Sequence, residues 1–225
     1  SLSRGKGRFA LIYRDITREQ LVSLVTQAVK AQLRPQSRQV PVGVSMRHIH
    51  LSRREVDALF GRTYQLTPLR PLSQPGQFAC QECLDVIGPR GVLHKVRILG
   101  PERPEAQVEL AQTDCRVIGV QAPVRASGHV EGTPGVLLQG PRGVFSLPRG
   151  VIVADRHLHM STAQAAAFGL SDGDTVRVRV EGGKPGILDG ILVRAGERYE
   201  LDLHLDTDDA NAFQLRQGQL VTVLE

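Results

Sequence analysis

Two short segments of this 225-residue chain are near copies of each other: Arg47-His48-Ile49-His50-Leu51-Ser52 and Arg156-His157-Leu158-His159-Met160-Ser161. Together they hold four of its seven histidines. Successive side chains of an extended strand point to opposite faces. Each His-x-His therefore turns two imidazoles one way and one apolar residue, Ile49 or Leu158, the other. Two imidazoles side by side can serve one metal ion, and imidazole suits zinc, copper, iron and nickel. For either segment alone, a buried and hydrogen-bonded histidine pair is an equal alternative. Repetition with the same flanks favours metal, as two sites or as one site built by two related halves.

Further echoes extend the repeat. Val108-Glu109-Leu110 precedes Thr113-Asp114, and Leu203-His204-Leu205 precedes Thr207-Asp208. If these segments correspond, Glu109 and His204 occupy equivalent places. One half then offers His48, His50 and Glu109, and the other His157, His159 and His204. Three protein ligands with an open position is the pattern of catalytic zinc, whereas structural zinc usually has four. Asp206, Asp208 and Asp209 either orient imidazoles as outer carboxylates or form a solvated acidic turn. Arg90, Arg97 and Arg103 fall in one short stretch and as a group could grip phosphates, although surface charge accounts for any one of them. Cys80-Gln81-Glu82-Cys83 lacks a second pair, so neither a redox nor a zinc role follows. His94 and His129 have no partner pattern.

Strands and caps must position these groups. Gln39 to Met46 and Gly150 to Asp155 read as strands entering the two His-x-His segments. A helix follows each, from Ser52 to Phe60 and from Ser161 to Phe168, and both end in Phe-Gly. Ser52 and Glu55 have capping-box spacing. Leu21, Leu24, Val25, Ala28 and Val29 give a helical stripe capped by Asp15 or Thr17, with Gln20 three residues after Thr17. This helix is expected to pack on the body of the protein. Gly88-Pro89-Arg90-Gly91 and Gly140-Pro141-Arg142-Gly143 read as matching tight turns. The expected fold is mainly β with a few helices: two small closed β-barrels related by a pseudo-twofold. The expected divisions are a flexible basic tail over 1–14, a helix over 15–34, a first barrel half over 35–125 and a second over 126–225.

Composition bounds the function. With no Trp and 4% aromatic residues, Val, Leu and Ile must fill the core. The net charge of +5 comes without a basic face interleaved with aromatics, which argues against nucleic acid and allows an anionic small molecule. Three cysteines fit a reducing compartment. No apolar run approaches the roughly 20 residues of a membrane helix and no signal peptide is visible, so a soluble intracellular protein with no membrane partner is expected.

Pro41-Val42-Gly43-Val44-Ser45 leading into the first His-x-His, Gln74-Pro75-Gly76-Gln77-Phe78-Ala79, Arg97-Ile98-Leu99-Gly100-Pro101, Gln107-Val108-Glu109-Leu110, Arg156-His157-Leu158-His159-Met160 and His204 to Ala212 resemble the PduL-type phosphate acyltransferases (phosphate propanoyltransferases). The resemblance runs from residue 40 to about 212. It implies two β-barrel domains, two metal ions (zinc above all) and a coenzyme A pocket, with interconversion of acyl-CoA plus phosphate and acyl phosphate plus CoA. It implies His48, His50 and Glu109 as ligands of one metal and His157, His159 and His204 as ligands of the other. Arg103 would be the catalytic, phosphate-holding residue; Val44, Ser45, Met46, Arg90, Arg97 and Asn211 would contact CoA. It also implies a homodimer or larger assembly in the bacterial cytoplasm, within a microcompartment and with shell or enzyme partners. The amphipathic targeting helix of many members has no counterpart in Ser1 to Asp15, so that segment is either not part of this sequence or not used.

The residues themselves suit such chemistry. Acyl transfer to phosphate needs a polarised thioester and an oriented phosphate, which metal and arginine can supply. No Ser-His or Cys-His pairing suggests an acyl-enzyme. The competing readings are a metal hydrolase using the same ligands and a metal-dependent binding protein without turnover.

Overall fold

The computed structural model describes residues 17–33 and 38–224. The expected tail over 1–14 and the Asp15 cap lie outside them. In chain order, the elements are α1 (Arg18–Leu33), β1 (Gln39–Ser45), β2 (His48–His50), α2 (Arg53–Phe60), β3 (Pro68–Pro71), β4 (Phe78–Ile87), β5 (Val92–Gly100), β6 (Gln107–Glu109), α3 (Gln112–Ile118), β7 (Val124–Arg125), β8 (Val136–Gly140) and β9 (Gly143–Leu147). Then follow β10 (Val151–Ala154), β11 (His157–Met160), α4 (Thr162–Phe168), β12 (Thr175–Val180), β13 (Gly186–Ala195), β14 (Asp202–Asp206), α5 (Thr207–Ala212) and β15 (Leu220–Leu224). The fold is mainly β with a few helices, as the short Val-rich segments predict.

The duplication is visible in the strand registers. β2 lies antiparallel to β6, with His48 opposite Glu109 and Ile49 opposite Val108. β11 lies antiparallel to β14, with His157 opposite His204 and Leu158 opposite Leu203. On their other edges β2 runs parallel to β5 and β11 parallel to β13. The odd residues of the two triplets, Ile49 and Leu158, are fully buried in separate cores, so alternation sends all four imidazoles to the opposite face.

The halves are tied by exchange of their first strands. β1 runs parallel to β14, and its Val40 and Val42 enter the core around Leu158 and Leu203. β10 runs parallel to β6, and its Val151 and Val153 enter the core around Ile49 and Val108. The expected boundary between residues 125 and 126 therefore does not separate the sheets: β1 from before it, and β8 to β10 from after it, lie across the divide. The β10–β11 unit repeats β1–β2, and each unit bridges both bodies.

Only one of the two sheets closes. β15 pairs with both β1 and β12, completing the barrel β1-β14-β11-β13-β12-β15. In the other sheet no single strand meets both corresponding edges: β7 pairs with β10, while β8 pairs with β4. The result is a curled, open nine-stranded sheet rather than the second closed barrel. The two Gly-Pro-Arg-Gly turns both belong to this open sheet, joining β4 to β5 and β8 to β9, so they are not related by the duplication.

The helices start where the capping spacings predict. Thr17 and Gln20 cap α1 reciprocally, at 2.9 and 3.2 Å. Ser161 and Gln164 do the same for α4, and the Ser52 amide donates to Glu55 at 3.0 Å before α2. On α1, Leu21, Val22, Leu24 and Val25 remain about half exposed rather than packed as expected, while the side chains of Ala28 and Val29 lie outside those described.

Candidate active site

The two His-x-His strands converge on one cleft of about 930 Å³, lined by residues of the open sheet and of the barrel. His48, His50 and Glu109 bring their ligand atoms within 4.8 Å of one another, and so do His157, His159 and His204. Ring centroids of His48 and His50 are 4.9 Å apart; those of His157 and His159 are 4.7 Å apart, each 4.9 Å from His204. Antiparallel pairing of β2 with β6, and of β11 with β14, is what delivers the third member of each set.

Each set is oriented in the same way. His48 Nδ1 lies 2.8 Å from the Met46 carbonyl and His157 Nδ1 2.7 Å from the Asp155 carbonyl. A backbone carbonyl at that distance selects the Nδ1–H tautomer and leaves Nε2 as the free donor atom. Arg47 pairs with Asp114 at 2.7 Å, and Arg156 grips Asp209 with two nitrogens at 2.7 and 2.8 Å. Each of these aspartates lies five residues beyond its set's third member, so each arginine ties its His-x-His to the helix that follows.

Electrostatics suit metal binding. Burial, with neighbouring imidazoles adding to it, pushes His50 and His159 down to about 3 and His157 down to about 4, so all three are neutral near pH 7. Burial would lower His48 too, but the Glu109 carboxylate overrides it and raises that group. Burial would raise Glu109, but His48 and His50 hold it far below the usual carboxylate range. Both ring nitrogens of His159 are buried without a hydrogen-bond partner among the described residues. A metal ion would satisfy one of them, a partner that a merely structural buried histidine would have to find within the protein. Neutral imidazoles, one carboxylate and an orphaned ring nitrogen fit a divalent ion at each set.

Several residues not anticipated complete the site. Gln107 Nε2 donates to Glu109 at 2.6 Å and to Ser127 Oγ at 2.9 Å, and the Ser127 hydroxyl donates to Glu109 at 2.9 Å. Arg103 donates to the same Ser127 at 3.0 Å and faces the cleft. On the barrel side, Asp202 lies 3.1 Å from His204 Nε2, and Tyr199 stacks on His159 at 4.5 Å. Gly43 permits the Asp202 placement, since a Cβ there would stand 2.6 Å from the carboxylate. Asp202 and Gln107 each lie two residues before the third member of a set, a period-two signal that was legible on a strand. Asp206, Asp208 and Asp209 do not orient imidazoles: they cap α5, accept from the Thr113 amide and hold Arg156.

The chain matches the phosphate propanoyltransferase family model over residues 41–216. It belongs to that family. Curated phosphate propanoyltransferases of Thermotoga maritima and Enterococcus faecalis are each 48% identical to it. The first alignment spans 185 residues, 82% of this chain and 88% of the relative; the second spans 195 residues, 87% and 92%. That of Rhodopseudomonas palustris is 44% identical over 82% of both chains.

The residues expected at CoA divide. Val44, Ser45, Met46 and Arg97 line the cleft. Arg97 donates to the Cys80 and Gln81 carbonyls at 2.9 and 2.8 Å. Arg90 lies off the cleft, in the β4–β5 turn against Gly119. Asn211 is exposed on α5 and also lies off it. Cys80 is buried, and burial pushes its thiol up to about 11, which makes it unreactive.

Proposed function

We propose that this chain is a phosphate acyltransferase that interconverts propanoyl-CoA or acetyl-CoA plus phosphate with the acyl phosphate plus CoA, using two divalent ions, zinc above all. The observation that carries the reading is the meeting of two three-ligand sets and Arg103 on one cleft. Membership of the phosphate propanoyltransferase family supports the reaction class. A divalent ion at these sets would supply concentrated positive charge and an open coordination position toward the thioester.

His48, His50 and Glu109 would hold one ion, and His157, His159 and His204 the other. Arg103, pinned by Ser127, would orient phosphate and neutralise its charge. A phosphate oxygen then attacks the thioester carbon, the carbon–sulfur bond breaks, and the proton carried by phosphate ends on the CoA sulfur. Direct transfer is favoured because the cleft is lined by no cysteine among the described residues, and Ser127 donates its hydroxyl proton to Glu109 rather than to an imidazole. Val44, Ser45, Met46 and Arg97 would form the coenzyme wall; Arg90 and Asn211 would meet only a part of CoA extending outside the cleft. Residence in a bacterial microcompartment, as a dimer or larger assembly, is supported by the family and by the exposed apolar side chains of α1.

The test is release of free CoA thiol from propanoyl-CoA, with and without phosphate, before and after chelation and zinc restoration. Release requiring both phosphate and metal is expected. Release without phosphate would instead make the chain a thioester hydrolase.

A further inference from the structure

The duplicated frame isolates one residue that breaks the symmetry within the cleft. On β13, Arg194 lies in register with His159, as Leu99 of β5 does with His50 when the β2–β5 register is continued by one residue. The same frame position is thus apolar beside one ligand set and cationic beside the other. Arg194 lines the cleft and is half-buried, yet its side chain has no hydrogen bond or ion pair among the described residues. Of the other cleft arginines, Arg47 pairs with Asp114, Arg97 with two carbonyls and Arg103 with Ser127, while Arg70 is exposed to solvent, so Arg194 is the half-buried one left without a partner among the described residues.

A half-buried guanidinium without a carboxylate is costly unless an anion joins it. The nearest cations worsen that cost. Burial lowers the Arg103 pKa against the pull of Glu109, and Arg194 lowers it further, so two like charges act on each other across the cleft. All three members of the set beside Arg194 are histidines, and the one carboxylate next to them, Asp202, is taken up by His204, so a divalent ion there would leave a net positive charge. The excess positive charge on this side calls for an anion of more than one charge. Phosphate carries up to two negative charges and several acceptor oxygens, enough for two arginine forks at once.

We infer that Arg194 is a second phosphate-binding residue, forming with Arg103 a two-arginine clamp drawn from the two halves; this rests on the acyl-transfer reading above. Symmetry explains why one residue of the clamp is easily overlooked: Arg103 comes from the loop after β5, whereas Arg194 comes from within β13, so the two do not correspond.

The test compares native metal-loaded protein with Arg194→Gln and Arg194→Lys. Equilibrium binding of inorganic phosphate without CoA is measured beside the KM values for phosphate and propanoyl-CoA. Loss of a charged hydrogen-bonding partner predicts a ten- to hundredfold rise in the phosphate Kd and KM for Arg194→Gln, roughly what such bonds are worth. The propanoyl-CoA KM stays within about twofold, and Arg198→Gln, exposed nearby and off the cleft, binds phosphate as the native chain does. Arg194→Lys keeps the charge but not the fork and is expected to lose severalfold; it decides the matter if Arg194→Gln does not fold. An unchanged phosphate Kd, or a KM rise confined to propanoyl-CoA, would overturn the inference. Absence of phosphate-dependent turnover in the native protein would instead sink the acyl-transfer reading, while the binding measurement still judges Arg194.

Discussion

Removal of metal should make this protein acid-sensitive well above the range where carboxylates titrate. His50 and His159 are depressed to about 3 and His157 to about 4, against an unfolded value of about 6.5. A group with a lowered folded pKa contributes stability above its unfolded pKa and loses it as pH falls toward its folded value. For metal-free protein at pH 5.5, each of the three groups is protonated in the unfolded chain but not in the folded one. Linkage makes that worth about 1.4 kcal/mol per group, or about 4 kcal/mol for three. Despite its burial, His48 is raised by the Glu109 carboxylate, so its contribution runs the other way, adding stability as pH falls through the unfolded value and offsetting part of the loss. The assay is urea unfolding of chelator-treated protein at pH 7.5, 6.5 and 5.5, with m monitored for two-state behaviour. The midpoint should drop steeply between 6.5 and 5.5, and His157→Gln should remove about a third of the drop. A metal-free protein equally stable at 6.5 and 5.5 would refute the claim that the site is built to keep these imidazoles neutral.

Metal content measured by elemental analysis should be two ions per chain, falling to one in His204→Ala and to one in Glu109→Ala, because each removes a member of a different set; loss of both ions from either variant would deny two separable sites. Gly43→Ala introduces a Cβ 2.6 Å from the Asp202 carboxylate and should displace it from His204. A fall in metal affinity of about 10- to 100-fold at the second site only, read by competition with a chromogenic chelator, is expected for loss of such an outer partner. Gln74 is buried and bonds both Glu200 backbone groups, at 3.1 and 3.3 Å, fastening the loop after β3 to the barrel. Gln74→Ala should cost about 1–3 kcal/mol in urea unfolding, and a neutral result would show that this clasp does not hold the halves together.

Much of the site was legible because its signals are local. His48 and His50, and likewise His157 and His159, share a face by the two-residue period of a strand, and a strand is short enough to read. Ser161 with Gln164 and Thr17 with Gln20 set helix starts through hydrogen bonds spanning three residues. Glu109 and His204 were found because a duplication lets one half index the other. That Arg90 and Asn211 stand off the cleft was not legible, since nearness along the chain says nothing about which side of a sheet a turn faces.

The sequence alone thus determined the candidate ligand sets, the caps and the existence of a repeat, all of which rest on short-range or repeated local patterns. Tertiary structure decided that β1 and β10 cross to the opposite body, because parallel pairing with β14 or β6 leaves no mark in the local pattern. It decided that one sheet closes and the other does not, since closure depends on whether a single strand such as β15 reaches both edges. It also brought Ser127, Arg103 and Arg194 to one cleft from a loop after β7, a loop after β5 and the interior of β13. Such convergence depends on chain reversals that composition and spacing leave open, and only the packed cores around Ile49 and Leu158 select one arrangement.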